Sequence, residues 1–217
     1  MSSFDWISAV HDKAVFVAFD TETTGVDAKK DRVVEIGAIK FDKLGIISRY
    51  NVLINPEMPM PPGATAVNNI TDDMLKDKPV IKDVIHQFLM FIQNTVLVAH
   101  NAPFDLNMLN SELKRLGGTE LTNKVFDTLV FAREVLPGLR SYALQKLAEQ
   151  FGINAIDAHR AEDDARVCME FFNVALKHFF ETHSDMLEHY KQNTNINDYL
   201  KTKAPTFNII SNEKELF

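Results

Sequence analysis

The hydrophobic period of the chain changes once, near Val80, and that change limits the folds open to it. Before it lie three apolar runs of strand length, Ala14 to Phe19, Val33 to Phe41 and Ile46 to Ile54, rich in β-branched and aromatic residues. The polar break Asp42-Lys43-Leu44-Gly45 predicts a hairpin between the last two. Pro56, Pro59, Pro61, Pro62 and Gly63 predict a loop, and Thr71-Asp72-Asp73 a short helix start. From Val80 on, Val84, Ile85, Phe88, Leu89 and Ile92 recur at helical spacing. Thr95 to Ala99 predicts a buried strand. Pro103 then opens a helix through Met108, Leu109, Leu113 and Leu116 that stops at Gly117-Gly118. A short strand at Val125 and Phe126, a helix capped by Ser141 and ending at Gly152, and a long helix from Ala161 to Phe180 or beyond complete the order. Three strands followed by alternating helices and strands mean an α/β protein with a mixed sheet covered on both faces.

A chain of 217 residues, 46% apolar and 24% charged, has enough core for one domain without covalent staples. Cys168 is the sole cysteine, which suits a reducing, cytoplasmic setting and excludes a thiolate metal cluster. MSSFDWISAV lacks the basic start and apolar run of a secretion signal. Val84 to Phe104 carries no charge, but His86, Gln93, Asn101 and Pro103 make it a helix and a buried strand rather than a membrane span. The formal net charge of −7 argues against general adhesion to nucleic acid through a basic surface.

The anomaly is a set of acids where periodicity expects core. Asp20 ends the first apolar strand and Glu22 shares its side-chain parity, so both project from one face; a solvated strand end accounts for the pair equally well. Asp105 lies in the first turn of its helix on the stripe of Met108, Leu109 and Leu113, where the helix dipole alone also favours an acid. Asp164 is sharper, because Val167, Cys168, Phe171 and Ala175 form its stripe and no lysine or arginine shares it. Asp163 aligns instead with Arg166 and Glu170, the pattern of a solvated face. Four acids from three segments can share a site only with cations between them, and all-oxygen ligation suits Mg²⁺ or Mn²⁺. His159, just ahead of the last helix, is a candidate general base.

These residues fall in three runs, Asp20-Thr21-Glu22-Thr23-Thr24-Gly25, His100-Asn101-Ala102-Pro103-Phe104-Asp105 and His159-Arg160-Ala161-Glu162-Asp163-Asp164-Ala165. Together they resemble the motifs of the DnaQ-like (DEDDh) 3′→5′ exonucleases, a family that includes proofreading subunits of bacterial DNA polymerase III. The resemblance spans Ala14 to Leu176 with the motifs in order. It implies a ribonuclease-H-like fold and phosphodiester hydrolysis assisted by two divalent cations, Mg²⁺ or Mn²⁺. Asp20, Glu22, Asp105 and Asp164 would be the metal ligands and His159 the base. Thr23, Phe104 and Asn68 would touch the terminal nucleotide, Asn68 standing where some relatives carry histidine.

The acidic balance fits this resemblance, since bound cations make the site attractive to phosphate. Lys29, Lys30, Arg32, Arg140, Lys146 and Arg160 are candidate guides for the strand. The expected substrate is a single-stranded or frayed 3′ end, DNA before RNA. An exoribonuclease of the same family and a catalytically silent module binding nucleic acid or a polymerase are the alternatives. Residues 1–181 would form the exonuclease domain. The stretch 182–217, with Met186, Leu187, Tyr190, Phe207, Ile209 and Ile210, would be an extension that docks on the domain or reaches a polymerase subunit.

Overall fold

In this computed structural model the chain is described at Phe4 and over residues 6–182. A short helix α1 (Ile7–Val10) leads into three antiparallel strands, β1 (Phe16–Thr23), β2 (Val33–Asp42) and β3 (Gly45–Leu53). Short helices α2 (Pro62–Asn68) and α3 (Asp72–Leu75) precede the amphipathic α4 (Ile81–Ile92). Strand β4 (Val96–Ala99), helix α5 (Ala102–Arg115), strand β5 (Val125–Asp127) and helix α6 (Thr128–Val135) follow. Helices α7 (Leu144–Phe151) and α8 (Ala161–Thr182) close the described chain. The mixed sheet has the order β3-β2-β1-β4-β5, with β4 parallel to both β1 and β5.

Alternation along β1 divides the core into two layers. Phe16 and Ala18 face α8, α6 and α7, joined by Phe126, Phe131, Phe171 and Phe172. Val17 and Phe19 face the other way, onto Phe88 of α4 and Leu109 of α5. A smaller cluster of Val34, Met60, Ile70 and Leu75 sits under the segment before α4. Both faces of the sheet are covered, which makes the apolar β4, buried at all four positions, stable there.

Three local expectations are corrected and one unexpected helix is added. β1 runs on to Thr23, so Asp20 and Glu22 lie within the strand and not at its end. The proline-rich stretch is not all loop, because Pro62 occupies the first turn of α2, where its missing N–H removes no helical bond. Helix α6 begins where Asp127 accepts from the Leu129 and Val130 N–H groups, a capping acid just before an apolar run. Ser141 precedes α7 by too much to cap it and accepts instead from the Ala143 N–H. Among the described residues no helix is long and apolar enough to cross a membrane.

Candidate active site

The two halves of the site are carried by β1 and α8. Asp20 and Glu22 continue the face of β1 that Phe16 and Ala18 begin, so they point toward α8. Gly37 stands across the ladder from Asp20 and lets the helix approach. A Cβ there would lie 2.1 Å from the Ala161 carbonyl carbon, so only glycine lets the start of α8 rest on the sheet. Asp164, in the first turn of α8, is thereby brought to the strand acids. Carboxylate oxygens of Asp20, Glu22 and Asp164 lie within 4.8 Å of one another. The β1–β2 ladder shifts register between Glu22 and Thr23, and the Thr23 hydroxyl donates to the Gly25 carbonyl at 2.6 Å.

Asp105 approaches from the other layer. Asn101 takes a left-handed conformation (φ 67°) that starts α5, and Asp127 accepts from the Ala102 N–H at 3.1 Å. The buried Asp105 carboxylate then accepts from both the backbone N–H (2.9 Å) and the hydroxyl (2.7 Å) of Thr21. It stands outside the tight triad, yet its charge acts on Asp20.

Electrostatics mark these four acids as a strained group. Burial first, then the charges of Asp105, Glu22 and Asp164, hold Asp20 well above the usual carboxylate range. Burial and the Asp164 charge push Glu22 up to about 8. Burial raises Asp105 to about 7 in spite of the Thr21 hydrogen bonds, and it also raises Asp164. Among the described residues no lysine or arginine forms an ion pair with any of the four; Arg160 and Arg32 are taken up by Glu35 and Glu112. Convergent carboxylates with all-oxygen chemistry and no cationic side chain fit a divalent metal.

His159 sits exposed at the rim with a left-handed backbone (φ 66°), and its N–H donates to Asp164 Oδ2 at 3.2 Å. Phe104 is half-buried at the edge of the α5 layer, where it lines a groove of about 580 Å³ with Val26, Asn107, Met108 and Lys29. Asn68 stands beside Thr23 and Glu22. It is buried, donates to the Thr23 carbonyl at 3.3 Å, accepts from the Ile70 N–H, and its side-chain hydrogen bond to Glu22 lowers that carboxylate's pKa against the rise.

Several participants escaped the sequence reading. Gln145 of α7 donates to Asp164 Oδ1, a contact between helices that no local pattern announces. Exposed Val26, just past the first motif, lines the groove with Phe104; its place directly after Gly25 was the available signal. Asp163 is not solvated, since it pairs with Arg166 and accepts from the Ile156 and Asp157 N–H groups, shaping the loop that carries His159. Of the expected strand guides, Arg32 and Arg160 are engaged by buried acids, Lys30 pairs with Asp27 and Lys146 with Glu149.

A ribonuclease-H-like sheet whose central strand carries two acids that converge with a third from α8 defines a nuclease. The chain matches the exonuclease (RNase T) family over residues 17–172 and belongs to it. It is 48% identical over 193 residues to the DNA polymerase III subunit epsilon of Treponema pallidum, covering 88% of this chain and 90% of that one. It is 40% identical over 157 residues to a PolC-type DNA polymerase III of Caldanaerobacter subterraneus, covering 72% of this chain but 11% of that protein. Among solved structures, exonuclease X in complex with 5′ overhanging duplex DNA is similar, with a TM-score of 0.60, 27% identity and coverage of 79% of this chain and 99% of that one. E. coli exonuclease I in complex with a dT13 oligonucleotide shares the fold, with a TM-score of 0.65, 21% identity and coverage of 82% and 43%.

Proposed function

We propose that this exonuclease acts on DNA in the 3′→5′ direction, releasing nucleoside 5′-monophosphates as a proofreading partner of a DNA polymerase. One observation carries the reading: the Asp20, Glu22 and Asp164 oxygens converge within 4.8 Å beside the exposed His159. The similarity to a subunit named DNA polymerase III epsilon supports the polymerase association, and exonuclease X bound to DNA supports the substrate.

Asp20, Glu22 and Asp164 would hold one divalent cation, and Asp20 with Asp105 would support a second, Mg²⁺ or Mn²⁺ in each case. Bound there, such cations supply charge stabilisation for the attacking and leaving oxygens of an in-line displacement. The chain's own residues do the rest. His159, at the rim, takes the proton of the attacking water. Thr21 fixes the Asp105 carboxylate by two hydrogen bonds, and Gln145 fixes that of Asp164. Phe104 and Val26 offer an apolar wall to the terminal base, with Thr23 at the sugar and Asn68 beside it, bonded to the Thr23 carbonyl. The terminal base must leave its partner to reach this wall, which favours single-stranded, frayed or mismatched ends.

Residues 1–181 would serve as the exonuclease domain. The extension 182–217, either docked or reaching the polymerase, lies outside the described residues apart from Thr182. The substrate reading is tested with matched DNA and RNA oligonucleotides, single-stranded, paired and mismatched at the 3′ end, assayed side by side with Mg²⁺. DNA should be degraded faster than RNA, and mismatched ends faster than paired ones. Faster degradation of RNA would replace the substrate and leave the site chemistry standing.

A further inference from the structure

Beside the acid cluster lies a pair of charges with no part in the chemistry above. Glu35 of β2 is fully buried and stands across the ladder from Glu22. Its two oxygens accept a forked pair of hydrogen bonds from Arg160, Nε at 3.0 Å and Nη2 at 2.8 Å. The Ala161 backbone N–H also donates to Glu35 Oε2, at 3.3 Å. One carboxylate thus grips the residue after His159 and the first residue of α8 together. Gly37, next on the same face of β2, lies against the Ala161 backbone and admits no side chain there.

The feature being gripped is unusual. His159 keeps a left-handed backbone (φ 66°), which costs a non-glycine residue energy unless its surroundings impose it. Its neighbours on both sides are tied down: Arg160 to Glu35, and the Ile156 and Asp157 N–H groups to Asp163. Because the imidazole itself is exposed, its direction comes from this backbone rather than from packing around the ring.

We infer that Glu35 and Arg160 are positioning residues for His159, setting the left-handed turn that aims its imidazole over the acid cluster. The inference rests on the proposed role of His159 as the base. Arg160 is therefore not a strand-gripping cation, although it borders the site. Two observations favour positioning over grip: the Nε–Nη2 edge of Arg160 is taken up by Glu35 while Nη1 faces Asp157 at 3.9 Å, and the Ala161 N–H shares the Glu35 acceptor.

The test places Arg160→Lys, Arg160→Gln and Glu35→Gln in the parent protein and in His159→Ala, with saturating Mg²⁺ and a single-stranded DNA oligonucleotide. Misaiming a reacting group by about 1 Å costs up to about 100-fold. In the parent, kcat should fall about 10- to 100-fold while KM and the calorimetric affinity for Mn²⁺ change less than about threefold. In His159→Ala the same changes should cost less than about twofold, because the residue they aim is already gone. Amide exchange at His159 in metal-free protein should accelerate in each variant. Equal losses in both backgrounds would overturn the inference, as would a raised KM with kcat intact or unchanged kcat in both Arg160 variants. Wild-type turnover by His159→Ala itself would sink the base reading and the inference with it, and this shows in the parent comparison alone. If Glu35→Gln does not fold, Arg160→Lys, which keeps the charge, decides.

Discussion

Replacing Glu22 with glutamine should stabilise the metal-free protein at alkaline pH while weakening its response to metal. Burial and the Asp164 charge push Glu22 from its ordinary 4.5 up to about 8. The folded state therefore holds this proton more tightly than the unfolded state does. Below pH 4.5 both states are protonated and the residue costs nothing. Between 4.5 and about 8 the unfolded chain binds fewer protons, so stability falls as pH rises, and above about 8 the full penalty stands. At about 1.4 kcal/mol per pH unit the ceiling is about 5 kcal/mol. Glu22 is partly exposed, and solvent screening brings a realistic penalty to about 2–3 kcal/mol. Asp105, raised to about 7, adds a penalty of the same sign.

Thermal melts in EDTA should then show Glu22→Gln melting about 5–10 °C above the parent at pH 8.5. The gap should nearly close at pH 5. Adding Mn²⁺ should raise the parent's melting temperature and move the variant much less, because binding to the folded state alone is what stabilises. Equal melting at pH 8.5 in EDTA, or a gap that widens toward acid, would refute the reasoning.

Three further outcomes follow from the same geometry. Asp20→Asn should lower turnover by at least about 10³-fold with the fold intact by circular dichroism, since Asp20 stands in the triad and next to Asp105. Gly37→Ala must push Ala161 off the sheet, so turnover and melting temperature should drop together, and near-normal values for both would show that α8 can shift freely. Phe126→Ala should cost about 3–5 kcal/mol in urea titrations. That ring is fully buried, with centroids 4.8 Å from Phe4 and Phe131 and 4.9 Å from Phe172.

Strong periodicity was legible. The spacing of Val84, Ile85, Phe88, Leu89 and Ile92 is the buried face of α4, and the long stripe after Asp164 is the buried face of α8. The acids stood out because each interrupts such a stripe, and the structure brings Asp20, Glu22 and Asp164 together from segments about 140 residues apart. Short elements were less legible. Helix α2 hides behind Pro61, Pro62 and Gly63, residues that signal a turn unless the proline falls at a helix start. Eight-residue α6 reads as an apolar run of no clear period. Contacts such as Gln145 with Asp164 and Arg160 with Glu35 exist only after folding, because their partners are 19 and 125 positions apart with no shared pattern. The partners of Asp163 are hidden for the same reason, since its helical register is solvent-like while the Ile156 and Asp157 N–H groups of the loop before α8 donate to it.

The proposed reaction is metal-assisted removal of single nucleotides from a 3′ end by the cluster around Asp20. Its most direct test follows single-stranded DNA carrying a 5′ label, with circular single-stranded DNA alongside, in Mg²⁺ and in excess EDTA. The expected result is a ladder shortening from the 3′ end with nucleoside 5′-monophosphates released, an untouched circle, and no reaction in EDTA. Cleavage of the circle, release of dinucleotides, or undiminished activity in EDTA would contradict it.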